Sequence, residues 1–299
     1  MSRRKVLLAG GAGIAAVGLG GTHLINANES EAGTSDSVAA VSPSLSASDD
    51  VLPLTKEATE GPYYIDYDKD RVDITEGKKG TPLDLRIQVR NAQDGKPVSG
   101  AAVDVWQCDA LGIYSGYEKT SAEHSLNAGD YPGLPFVTRE PGDTYKTVGG
   151  LHLPPDSKTT YLRGFQMTDD DGWVRFRTIV PGWYTGRTPH IHAKVHTLGV
   201  FRDGAYADGT TAHTGQLYFP QDLIYAITKV YTDNTNELTT NAVDTIMTGT
   251  KTVDGMLTIK WDKDDAARPM KASIRMAIEP DVENLGHTGI RIPTASPSS

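Results

Sequence analysis

The chain has 299 residues, 38% of them hydrophobic and 22% charged, an ordinary balance for a folded domain able to bury a sizeable core. Its formal net charge of -9 argues against nucleic acid as a partner, because such binding needs a concentrated basic face and the only dense basic run is Arg3-Arg4-Lys5. A single cysteine, Cys108, excludes an intramolecular disulfide; it sits in the alternating run Val103-Asp104-Val105-Trp106-Gln107-Cys108 and reads as a small buried filler.

In chain order, residues 1–27 read as an export signal. A charged start is followed by Val6-Leu7-Leu8 and a Gly- and Ala-rich stretch to Gly21, too short and too diluted for a membrane span of roughly 20 apolar residues. The Arg3-Arg4 pair ahead of this weak apolar segment is the pattern of a twin-arginine signal, with an ordinary Sec signal as the alternative. No cysteine lies near its end, so no stable membrane anchor is expected and the mature protein should be free and extracellular. Residues 28–50 are rich in Ser, Ala, Asp and Glu, lack aromatics, and are expected to be a disordered linker. Residues 51–280 are expected to form one domain, and 281–299, ending Pro-Thr-Ala-Ser-Pro-Ser-Ser, a flexible tail.

Within the domain, Leu83-Asp84-Leu85-Arg86-Ile87-Gln88-Val89 alternates strictly, and Asp94-Gly95 supplies a turn before Ala101, Val103 and Val105 alternate again. Tyr161–Met167 and Trp173–Ile179 flank Thr168-Asp169-Asp170-Asp171-Gly172, which has the acidic turn formers and terminal glycine of a hairpin; a calcium loop would need a downstream glutamate that is absent. Further strands are predicted at Ile191–Val195, Gln216–Phe219, Leu257–Trp261 and Ile274–Ile278, and a helix from Asp222 with Leu223, Ile227 and Val230 on one face. Many short strands with turn signals between them predict an all-β, antiparallel β-sandwich with one or two short helices and its active site in loops at one end.

His190-Ile191-His192 lies in a strand-like run. Residues two apart share a face, so both imidazoles project together while Ile191, Ala193 and Val195 face a core. Paired imidazoles suit a metal, although His-x-His also occurs by chance. Tyr184 follows the Pro181-Gly182 turn six residues before His190, and Tyr114 lies in a second turn, Asp109–Ser115, after a buried-looking strand. Taken singly, either tyrosine could equally cap the core.

Taken together, these segments resemble the intradiol ring-cleavage dioxygenases. The resemblance runs from Glu60-Gly61-Pro62-Tyr63-Tyr64 through Asp104–Ser115, Leu162-Arg163-Gly164, Pro181-Gly182-Trp183-Tyr184 and Gly186-Arg187-Thr188-Pro189-His190-Ile191-His192 to Gly215–Pro220, in the family's order and spacing. It implies Fe(III) held by Tyr114, Tyr184, His190 and His192, a catalytic Arg187 and Gln216, and Tyr63, Tyr64 and Trp106 as substrate-lining residues that could equally be core. The substrates implied are catechols and O₂. Two tyrosinates are hard, anionic donors suited to a trivalent metal. The resemblance further implies a displaceable Tyr184 that leaves the metal and takes a proton. The helical dimerisation segment of cytosolic relatives has no counterpart here, so a monomer or weak oligomer is expected, and Gln107 stands where many relatives carry histidine. Three other classes stay open: a zinc or copper enzyme using His190 and His192, with His196 as a further candidate; a non-catalytic sandwich that binds polysaccharide or protein; and, weakest for want of a Gly-x-Ser-x-Gly elbow, a Ser-His-Asp hydrolase.

If Arg3-Arg4 directs export, replacing both by lysine should retain folded protein in the cytoplasm. Fractionation that finds the double variant exported as before would leave the Sec signal as the better account.

Overall fold

A computed structural model describes residues 52–65, 69–123, 155–202, 205–207, 209–249, 254–284 and 291–293. The proposed signal and linker lie outside these residues. The strictly alternating segment forms β1 (Pro82–Asn91), with Leu83, Leu85, Ile87 and Val89 pointing inward and almost fully buried. It is followed by β2 (Ala102–Trp106), α1 (Glu118–Glu123), β3 (Arg163–Met167), β4 (Trp173–Ile179) and β5 (His190–Thr197). The short strands β6 (Val200–Arg202) and β7 (Ala205–Ala207) form a small ribbon ahead of β8 (Thr210–Tyr218). The helices α2 (Gln221–Thr228) and α3 (Thr245–Gly249) precede β9 (Thr258–Lys260), β10 (Met270–Ile278), β11 (Val282–Asn284) and β12 (Arg291–Pro293).

Two four-stranded sheets, in the orders β4-β1-β10-β9 and β3-β2-β5-β8, make the sandwich. Leu85, Ile87, Val174, Phe176 and Ile274 from the first sheet and Val103, Val105, Ile191, Ala193, Val195 and Leu217 from the second share one apolar core. Leu223, Ile224 and Ile227 of α2 extend that core. Val230, expected on the same helical face, lies beyond the last turn and packs against the core from there.

Four expectations need correction or extension. The sandwich is antiparallel except at its centre, where β1 and β10 pair in parallel with Leu85 opposite Ala272. The stretch Thr168–Gly172 is a turn, since Asp169 Oδ1 accepts from the N–H groups of Asp171 and Trp173 at 3.0 and 2.7 Å and Gly172 takes φ +75°. It does not close a hairpin, however: β3 pairs with β2 in one sheet and β4 with β1 in the other. Thr168 makes the switch, exchanging hydrogen bonds with Ala101 and Gly100, while Gly172 O accepts from Val89 N. The helices number three among the described residues, α1 and α3 being too short to show a period. The expected tail contains the paired strands β11 and β12.

One departure from a simple sandwich sets up the site. An antiparallel sheet usually leaves one face to water, yet seven of the eight β5 residues are buried. The reason is an arm, residues 52–65, that crosses the sheets: Leu52 N donates to Ala92 O, Thr55 N to Ala277 O and Ala58 N to Thr214 O. The outer face of β5 is thereby roofed.

Phe176→Ala, in the middle of the core, should cost about 3–5 kcal/mol, read as a lower urea midpoint at unchanged slope. Tyr225→Ala, on the exposed side of α2, should stay within about 0.5 kcal/mol of the parent.

Candidate active site

Strand alternation places His190 and His192 on the roofed face of β5, both buried, opposite the inward Ile191 and Ala193. Two of the donors expected at a metal therefore come from a strand, and the other two from loops. His190 Nδ1 donates to Thr188 O at 2.6 Å, which turns Nε2 toward the site as a bare acceptor. The His192 ring stacks on Trp106 with centroids 4.7 Å apart and planes 8° from parallel.

Tyr114 is carried by the loop after β2. Asp109 shapes that loop: its Oδ1 accepts from Leu111 N and Ile113 N at 2.9 and 3.1 Å, and its Oδ2 meets Lys78 Nζ at 2.7 Å. Tyr184 follows the Pro-Gly turn after β4. The two loops are clasped backbone to backbone, because Gly182 N donates to Asp109 O at 3.0 Å and a Cβ on Gly182 would collide with Ala110 O. Gly112, at φ +87°, sits equally close to Trp183 O. Asn234 Nδ2 then bridges Ala110 O and Trp183 O, each at 3.0 Å, and Asn236 Nδ2 donates to Leu111 O at 3.0 Å. The sequence reading missed both asparagines, since nothing in a loop of polar residues marks which will reach back.

Four polar atoms crowd His190 Nε2: His192 Nε2 at 3.1 Å, Tyr184 Oη and Arg187 Nη1 at 3.4 Å, and Tyr114 Oη at 3.5 Å. Arg187 is buried and held on two sides, by Asp244 Oδ2 at 2.9 Å from Nε and by Gln216 Oε1 on Nη2. Gln216 also accepts from Tyr218 Oη at 3.1 Å and donates through Nε2 to Thr59 O at 2.8 Å, so its amide braces Arg187 and the arm. Tyr63 packs on Tyr114 and Tyr117, at 4.7 and 5.1 Å between centroids, and Tyr64 on Trp106 at 4.5 Å. These three expected lining residues thus form a buried aromatic wall beside the donors. Cys108 belongs to the same cluster, and burial pushes its thiol up. Gln107 points elsewhere, donating to Ile179 O at 2.9 Å and accepting from Thr178 Oγ1 at 3.0 Å. His196 is not among the crowded atoms; its ring lies 6.1 Å from that of Tyr206.

Burial dominates the electrostatics. Burial and then the Arg187 charge lower His190 to about 3, and burial, His190 and Arg187 hold His192 well below the usual imidazole range. Burial and then Tyr184 raise Tyr114 well above the phenol range; burial, opposed by Arg187, pushes Tyr184 up to about 12. Burial works against the Arg187 guanidinium too, but Tyr184 and Asp244 outweigh it and keep it charged.

The donor set fits a metal ion. One bare imidazole nitrogen accepts one hydrogen bond, so four polar neighbours at 3.1–3.5 Å exceed what a proton can satisfy. His192 Nδ1 is buried with no hydrogen-bond partner among the described residues, leaving its ring free to present a lone pair. Among the described residues no three His, Cys, Asp or Glu converge, so the phenols must complete any four-donor set. Neutral, desolvated phenols regain anionic character beside a highly charged cation.

The arm is pinned over this cluster. A Cβ on Gly61 would lie 3.3 Å from His192 Cε1. Lys194, next along the same face of β5, forms an ion pair with Glu60 and lies 3.9 Å from the centre of the Tyr64 ring.

A family model described as Dioxygenase matches residues 59–132, which include Tyr63, Tyr64, Trp106 and Tyr114. Over 135 residues the chain is 27% identical to catechol 1,2-dioxygenase 1 of Acinetobacter lwoffii, covering 44% of this chain and 32% of that one, about a third of the relative's length. The solved intradiol ring-cleavage dioxygenase from Tetranychus urticae is 28% identical, with a TM-score of 0.61 over 78% of this chain and 98% of that one. The chain is a homologue of the intradiol ring-cleavage dioxygenases and shares their β-sandwich.

Because Lys194 and Glu60 are both largely buried, Lys194→Met alone should strand a carboxylate and cost about 3–5 kcal/mol. Lys194→Met with Glu60→Gln should recover much of that loss, as seen in urea midpoints of the two variants and the parent.

Proposed function

We propose that this homologue of the intradiol dioxygenases is itself an exported, non-haem Fe(III) enzyme that opens catechol-type rings with O₂ to muconate-type diacids. The observation that carries this reading is the convergence of two phenols and a second imidazole within 3.5 Å of His190 Nε2, beside a buried guanidinium. Tyr114, Tyr184, His190 and His192 would hold the iron. When bound, Fe(III) supplies Lewis acidity to the two hydroxyl oxygens of a catechol, which makes the ring the electron donor toward dioxygen.

The chain's own groups supply the rest. Tyr184 Oη, whose phenol holds its proton up to about pH 12, is a basic phenolate when deprotonated and takes a proton from an incoming catechol hydroxyl. Tyr114, fully buried and packed against Tyr63, stays in place. Arg187 Nη1 faces the cluster and stabilises negative charge that builds on the ring, and it does so without reorganising, because Asp244 and Gln216 fix it. The wall of Tyr63, Tyr64 and Trp106 excludes water around the ring. Cleavage falls between the two hydroxylated carbons, and each broken carbon end becomes a carboxylate carrying one atom of O₂.

Catechol supplied with ¹⁸O₂ should yield cis,cis-muconate labelled with both oxygen atoms, with no reductant required. The protein should be reddish from tyrosinate charge transfer, and Tyr184→Phe should bind catechol yet turn over slowly. A yellow semialdehyde product, dependence on NADH, or a colourless zinc-loaded protein would overturn the assignment.

A further inference from the structure

Asp244 is fully buried just ahead of α3. Its two oxygens take four hydrogen bonds. Oδ2 accepts from Arg187 Nε at 2.9 Å and Thr188 N at 2.8 Å, while Oδ1 accepts from Ile246 N and Met247 N, each at 2.9 Å. Thr188 in turn receives the His190 Nδ1 proton on its carbonyl at 2.6 Å and donates through Oγ1 to Asn241 Oδ1 at 2.7 Å. One carboxylate therefore touches both the guanidinium and the residue whose carbonyl aims the first imidazole.

We propose that Asp244 is a positioning residue of this site: it sets the Arg187 guanidinium against the donor cluster, cancels its charge there, and through Thr188 aims the His190 imidazole. This inference rests on the dioxygenase reading. A bare guanidinium 3.4 Å from a ligand nitrogen would repel any cation the cluster binds. Pairing it with a buried carboxylate lets a directional donor stand beside a cation site at little electrostatic cost. With Nε given to Asp244 and Nη2 to Gln216, Nη1 is left pointing at the donors. The residue type is demanding. Asparagine has one acceptor oxygen for four donors, and glutamate would carry an extra methylene into a site closed to solvent. Partners one shell outside a metal typically change affinity or rate by about 10–100-fold.

The test is a cycle of parent, Asp244→Asn, Arg187→Gln and the double variant, read three ways: melting of the metal-free proteins, Fe(III) titration followed by visible absorbance, and catechol turnover. Asp244→Asn should weaken Fe(III) binding and lower kcat about 10–100-fold, with a smaller change in KM. Arg187→Gln should lower the melting midpoint, since it strands a buried carboxylate. Adding Asp244→Asn should then recover part of that midpoint and lower turnover by less than it does in the parent, the remaining loss being the part transmitted through Thr188 to His190. Equal losses from Asp244→Asn in both backgrounds would overturn the proposal and reduce Asp244 to a cap of α3. If Asp244→Asn alone does not fold, a folded double variant supports the proposal and an unfolded one overturns it. Coupling in the metal-free melts with no turnover in the parent would uphold the placement of Arg187 and remove the dioxygenase reading instead.

Discussion

A sheet face that carries two histidines and a lysine can be taken out of water only if something covers it and something satisfies it. The outer face of β5 meets both conditions. The arm from residue 52 to 65 covers it, stitched by main-chain hydrogen bonds to Ala92, Ala277 and Thr214. Glu60 satisfies Lys194. The imidazoles are desolvated and stand beside the Arg187 cation, which disfavours their protonation and leaves their lone pairs available. Without the roof His190 and His192 would titrate as surface histidines near their ordinary range; with it they are buried, neutral donors.

The second constraint is how near two loops can come. Tyr114 and Tyr184 belong to segments far apart in sequence, and their phenols reach the same nitrogen because the backbones that carry them touch. Glycine at 112 and 182 allows the touch, and Asn234 and Asn236 hold it. Charge is balanced locally as well, with Arg187 against Asp244 and Lys194 against Glu60. Among the described residues the donor cluster itself has no neutralising anion converging on it other than its own phenols.

Much of this was legible in the chain. Strict alternation marked β1, and the spacing of His190 and His192 put both imidazoles on one face because period two is a property of any strand. The tyrosines gained meaning only from the resemblance, since a phenol in a turn is equally at home as a cap on the core. Other features were illegible for physical reasons. The Thr168–Gly172 turn has hairpin chemistry, but turn residues fix local backbone and not the strand partner, which here depends on β1 and β2 lying in different sheets. Helices of five and six residues hold too little of a period to read. Asp244, far from the His-x-His motif in sequence and adjacent to it in space, had no pattern to announce it.

The parallel pairing of β1 with β10 also bears on how the chain reaches its native state. Leu83 finds its partner only at Met270, near the end of the domain. During synthesis, the central strand of the first sheet therefore waits with one edge unpaired until almost the whole domain has emerged. Such a high contact order favours slow folding, and the waiting edge is a point where the nascent chain can pair wrongly with another. A ribosome-bound fragment ending before Met270 lacks the partner of β1 and cannot complete this sheet.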